Sequence, residues 1–190
     1  MDEETKDYIK SFTETLLNKF LTDEEAKVPA KNIYTLIKNM GGTWEGNYGL
    51  ASNIGVFQHG TVKKIYNGEK QFSLFVPAPF KEGERARTLA RHIGNLCLHL
   101  GYCTDKKCWE NQTNQDWISF RKEGQIEQST VFMLYLLMPE DEFWKIVDEN
   151  TNEDNITDTL AVAKHFCVSR ENVYDRGALS GIYWGEKCGY

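Results

Sequence analysis

His92, Asn95 and His99 follow one another at steps of three and four residues within Glu84–Tyr102, ERARTLARHIGNLCLHLGY. On a helix that spacing places them on one face, with Arg91 beside them. Imidazole titrates near neutrality and a guanidinium can stabilise an oxyanion. With Glu127, the group therefore has the ingredients of metal-free acid–base chemistry on a phosphodiester, a nuclease using His92. The plainer reading is a polar network filling space between helices. A second set, Cys97, His99, Cys103 and Cys108, has the residue types of a structural zinc site. Cys97 and His99 are two positions apart, so on a helix their side chains diverge by about 200°. Buried or incidental thiols and a packed His99 are the simpler reading.

Two further groups carry chemistry of recognition. Lys106, Lys107, Arg121 and Lys122 alternate with Trp109, Trp117 and Phe120, the mixture of charge and ring faces that single-stranded nucleic acid uses. A solvated loop anchored by its aromatics has the same composition. Residues 160–168 and 171–179 have the lengths of a helix-turn-helix, yet only Lys164, Arg170 and Arg176 are basic there, which favours core packing over DNA reading.

The elements that must position these residues follow from hydrophobic periodicity. Tyr8, Ile9, Phe12, Leu16, Leu17 and Phe20 make residues 3–21 an amphipathic helix. A second helix is predicted from Ala30 to Met40, stopped by Gly41-Gly42. From Thr43 to Pro79, short apolar runs broken by Gly and Asn predict a small antiparallel sheet, with Asn67-Gly68 as a hairpin turn and Pro77 and Pro79 closing it. A helix over 82–100 buries Leu89, Ile93, Leu96 and Leu100, and an irregular excursion fills 101–122. Another helix runs from Gln125 to Met138 and stops at Pro139. Then come a short helix around Asp141–Val147, the polar run DENTNEDNITD as a linker or exposed loop, and two short helices with Ser169 as an N-cap. The division this suggests is an N-terminal helical element over 1–42, a core over 43–148 and a helical extension over 149–190, packed as one unit.

Charge narrows the partners. The chain's net charge is −6, which argues against charge-driven binding to duplex nucleic acid. The distribution is uneven: residues 1–25 carry −5, residues 140–158 carry −7, and residues 26–139 carry +5. The acidic stretches are solvated faces or surfaces for a basic partner such as a nucleic-acid-binding protein. Five irregularly spaced cysteines fit reduced thiols, and the start lacks the pattern of a secretory signal, so a cytoplasmic protein with no membrane association is expected.

The order of strands, helix and second helix resembles the ImmA/IrrE family of zinc metallopeptidase-like proteins. Leu89-Ala90, Gly94, Leu98-His99, Phe132 and the tetrapeptide Leu136-Leu137-Met138-Pro139 carry the likeness, as does the later LAVAKHFCVSRENVYDR. It covers roughly residues 30–180. It implies an α+β metallopeptidase-like fold, a small antiparallel sheet packed on central helices with additional N- and C-terminal helices.

The departures from the family pattern fall on its chemistry. The family's zinc helix needs His at i and i+4 with a Glu general base between them. Arg91, His92 and Asn95 stand at those three positions. Arginine has no lone pair to give a metal and repels a dication, and an amide is a poor zinc ligand. The family's third ligand, six positions before the phenylalanine, corresponds to Ile126, with Glu127 one place off. The expectation is that Arg91 fills the vacated metal position and pairs with Glu127 or Glu123, and that no cofactor, zinc included, is held.

The resemblance then implies a pseudo-metallopeptidase acting by protein–protein binding in phage or mobile-element regulation or counter-defence. It would be an antirepressor or an inhibitor of a nuclease-type defence system such as CRISPR. The alternative is a residual zinc metallopeptidase cleaving a repressor-type protein.

Overall fold

The computed structural model describes residues 1–47, 61–65, 71–77, 82–112, 118–120 and 122–184. The described chain is α+β, mostly helical around a small three-stranded mixed sheet. Asp2 starts the first helix, α1 (Glu3–Phe20), by accepting from the Thr5 N–H at 2.8 Å. Ile9, Thr13, Leu16 and Leu17 are its buried face. Tyr8, expected on that face, is 53% exposed and stacks on Phe12 instead.

A short helix that was not expected precedes the one predicted over Ala30–Met40. Thr22 and Glu25 form a reciprocal capping box that starts α2 (Asp23–Lys27), a signature readable in the sequence as Thr-x-x-Glu. A turn at Pro29 follows, in which the Asn32 N–H donates to the Pro29 carbonyl at 3.0 Å, and α3 (Ile33–Asn39) begins after it.

The sheet contains β1 (Gly42–Asn47), β2 (Thr61–Lys64) and β3 (Phe72–Pro77) in the order β1-β3-β2. It is not the antiparallel sheet expected from the sequence. β2 pairs antiparallel with β3, but β1 pairs parallel with it, Gly42 opposite Phe72 and Val76 opposite Gly46. The reason lies in β3: every residue from Phe72 to Val76 is buried, so this strand takes the centre and both of its edges must be paired. Gly42 permits the close approach, because a Cβ there would lie 2.2 Å from the Phe72 ring. Asn67-Gly68 and Pro79 lie outside the described residues.

Two helices form the centre, α4 (Glu82–Leu100) and α6 (Glu123–Leu137). From Val131 to Met138 every side chain is buried, as expected of a helix packed on by α1, by α4 and by α9 (Arg170–Leu179). The excursion between α4 and α6 contains a short helix, α5 (Lys106–Glu110), capped by Asp105, which accepts from the Cys108 N–H at 3.0 Å. α7 (Glu140–Glu149) and α8 (Thr159–Phe166) complete the set.

Residues 150–158, expected as part of a linker or exposed loop, form a built, mostly exposed turn. Thr151 and Thr157 bridge, and the Asn152 Oδ1 accepts from the Asp154 and Ile156 N–H groups at 3.1 and 2.8 Å. Ser169 caps α9 as expected, accepting from the Asn172 N–H at 3.2 Å. Ile9, Leu74, Leu89, Phe132, Val162 and Val173 belong to one hydrophobic cluster, which draws on all three segments of the chain. Among the described residues no helix is long and apolar enough to cross a membrane.

Candidate functional site

α4 and α6 run antiparallel against each other. Gly94 meets Phe132 near the middle, where a Cβ on the glycine would stand 2.9 Å from the ring's Cδ1. Toward the other end, His99 Nε2 lies 3.3 Å from the main-chain oxygen of Gln125, so Nε2–H donates and the tautomer follows from the acceptor. Burial lowers the pKa of His99, with this hydrogen bond opposing, and its ring leans on Phe120 at 5.8 Å. His99 is therefore a helix-to-helix tie, the packed reading anticipated for it.

One turn and more toward the start of α4 are Arg91, His92 and Asn95. His92 is wholly buried, at 0% exposure. Asn95 is 4% exposed, and its Oδ1 accepts no hydrogen bond. Arg91 is half-buried, and its Nε–H is sealed from water without an acceptor. Burial lowers the Arg91 pKa, and the nearby charge of Arg87 lowers it further.

The expected pairing of Arg91 is not formed. Glu127 Oε1 lies 3.0 Å from the Met1 amine, and among the described residues no ion pair joins Arg91 to Glu127 or to Glu123. Both glutamates are on the exposed side of α6, whose opposite side is committed to the core through Ser129, Val131 and Phe132. The structure thus brings Arg91, His92 and Asn95 together on α4 and leaves Glu127 apart.

The cysteine set does not converge either. Cys97 is wholly buried and its thiol pKa is raised well above the ordinary value, whereas Cys103 is exposed and Cys108 half-buried. Among the described residues no three His, Cys, Asp or Glu side chains cluster so as to hold a metal. Cys188 lies outside the described residues.

The basic and aromatic positions divide between surface and anchor. Lys106, Lys107 and Lys122 are exposed, while Phe120 is buried. Trp109 packs edge-to-face on Tyr102 at 4.9 Å, and the Lys64 Nζ sits 4.7 Å over its ring. That ammonium donates to the carbonyls of Trp109, Glu110 and Gln112 at 2.5, 3.3 and 3.2 Å, closing the end of α5. Trp109 therefore anchors the loop instead of standing free to stack on a base. A shallow groove of about 470 Å³ runs beside it, lined by Tyr102, Cys103, Lys106 and Glu110 among others. Trp117 and Arg121 lie outside the described residues.

Arg176, counted above among the basic residues of a DNA reader, is 0% exposed. Its Nε–H donates to the Met138 carbonyl at 3.1 Å, its Nη1 to Ser180 at 2.5 Å and its Nη2 to Glu140. Arg170 is spent similarly, bonding Thr159 at 3.1 Å and the Tyr174 hydroxyl at 2.6 Å. Of the three basic residues, Lys164 alone is not so engaged among the described contacts, so α8 and α9 offer little to a phosphate backbone.

No protein-family model matches the chain, and no curated protein matches it. The chain is similar to the solved structure of a Mycobacterium tuberculosis transcriptional regulator, at 16% identity and a TM-score of 0.44, over 92% of this chain and 51% of that one. It spans about half the length of that protein.

What the site can do chemically follows from its donors. Arg91 and Asn95 supply N–H groups and one positive charge, chemistry suited to holding an oxyanion. Sequence reasoning singled out these residues but missed Arg87, whose signal was its place four residues before Arg91.

Proposed function

We propose that this chain is a catalytically inactive, ImmA/IrrE-type metallopeptidase-like protein that acts by binding another protein. The setting is phage or mobile-element regulation or counter-defence, as an antirepressor or as an inhibitor of a nuclease-type defence system such as CRISPR. The observation that carries this reading is the condition of α4. A guanidinium and an amide stand at the positions where the resemblance puts zinc ligands, and the residue at the base position, His92, is sealed in the core. A general base must reach the proton it takes, and a buried imidazole packed between helices is better suited to structure. The metallopeptidase-like frame draws support from the contact of Gly94 with Phe132 and from the Leu136–Pro139 turn, which ends α6 and opens α7.

The test is a titration of function against protein added. Partners captured from the host are identified, and the effect on each is measured with and without a zinc chelator. The reading predicts saturation at a fixed ratio of protein to partner, an intact partner chain and no effect of chelator. Turnover with a cleaved partner that stops in chelator would show a working peptidase. Cleavage of RNA or DNA that disappears in His92→Ala would show a nuclease, and either result would overturn the reading.

A further inference from the structure

We propose that Arg87, Arg91 and Asn95 form an oxyanion-binding site that takes the carboxylate of an acidic side chain on a protein partner. The proposal rests on the binding role argued above and deepens it by naming the chemistry of the contact. The three residues stand at i, i+4 and i+8 along α4 and so share one face. Arg91 has no ion pair or hydrogen bond among the described residues, although it is half-buried and its Nε–H is sealed from water, whereas Arg87 is close enough to the Asp175 carboxylate of α9 for its charge to act on it. Asn95, 4% exposed, adds a second buried polar atom with no partner.

A cation withdrawn from water without a counter-charge is costly, and native structures seldom leave such groups unmatched. The chain itself provides the contrast. Arg176, also buried, is matched at Nε, Nη1 and Nη2 and lies between the rings of Tyr135 and Phe143 at 4.5 and 4.6 Å. Where this protein uses an arginine to hold its fold, it supplies every partner. At Arg91 it supplies none, and Arg87 adds a like charge.

A carboxylate satisfies this arrangement. Its two oxygens accept the planar fork of one guanidinium, and a second guanidinium completes the charge balance. The Asn95 amide, turned about its last torsion, presents N–H donors where its oxygen now finds nothing. The source favoured is a protein side chain: one carboxylate needs only this guanidinium pair, whereas a polyphosphate chain would extend its charge across a protein of net charge −6.

The experiment follows the arginine Nε–H resonances by nitrogen-15 NMR. The full chain is titrated at constant ionic strength with blocked hexaglutamate, with neutral hexaglutamine and with inorganic phosphate. A saturable shift of the Arg91 signal with hexaglutamate, absent with hexaglutamine and at least about tenfold weaker in Arg87→Gln, is expected. In Arg91→Gln, or in Arg91→Lys if that does not fold, binding is read from the Arg87 Nε–H signal, and weaker binding is expected. An unmoved Arg91 signal, unchanged affinity in the arginine variants, or a response to phosphate alone would each overturn the proposal. Those failures leave the fixed-ratio binding of a partner untouched, whereas a cleaved partner would defeat the binding role whatever the arginine signals show.

Discussion

The Nε–H of Arg176, in α9, donates to the main-chain oxygen of Met138 across 3.1 Å, so a guanidinium from far along the chain closes the turn between α6 and α7. The same side chain pairs with Glu140, which also takes Lys10 at 3.2 Å and Trp144 at 3.0 Å. Removing one member of a buried pair costs about 3–5 kcal/mol. Because Glu140 keeps Lys10 and Trp144, Arg176→Ala should fall near the lower end, about 3 kcal/mol, in urea unfolding. Arg176→Lys should lose less, since charge persists without the fork.

Acid should weaken this network. Burial raises the pKa of Glu140, but the charge of Arg176 and the hydrogen bonds of Trp144, Arg176 and Lys10 outweigh it, so the net shift is downward. A carboxyl lowered in the fold contributes stability above its unfolded value, about 4.3, and loses that contribution as pH falls through the folded value. Unfolding followed from pH 6 downward should show the loss in the native chain and a flatter profile in Glu140→Gln.

Gly94 sets the distance between α4 and α6. In Gly94→Ala the new Cβ would meet Phe132 at 2.9 Å, and overpacking of that kind costs about 1–3 kcal/mol. Alanine regains about 1 kcal/mol in helix propensity, so a net loss of up to about 2 kcal/mol is expected. Phe132→Leu in the same chain should reduce the loss from Gly94→Ala, and a double-mutant cycle by urea denaturation would read the coupling.

His99 predicts a second pH dependence with the opposite ionic character. Burial lowers its pKa, so the unfolded chain binds the proton more readily than the folded one. Stability should fall as pH drops below the unfolded value of about 6.5, and the dependence should vanish in His99→Gln, whose amide can still donate toward the Gln125 carbonyl.

How much of this was legible in the sequence depends on whether a local signal decided the outcome. The spans of α1, α4 and α6 followed from periodicity, and the cap at Ser169 from residue type. The direction of β1 did not, because it depends on β3 needing a second neighbour, a long-range requirement that alternation within β1 does not encode. Arg91, His92 and Asn95 were found from their spacing. The fate of Glu127 was not, since one residue of offset on α6 decides whether a side chain faces the α4 contact or solvent. Core packing was the favoured reading of the stretch around Arg176, but its partners, Met138 and Glu140, lie far along the chain and no local signal names them.

On the proposed reading, α4 carries a metal-free binding site and not a zinc centre. Equilibrium dialysis of the purified chain against zinc, followed by elemental analysis, tests it most directly. No zinc above the buffer blank is expected, with partner binding that persists in chelator. One zinc per chain, lost in His92→Ala, would contradict it.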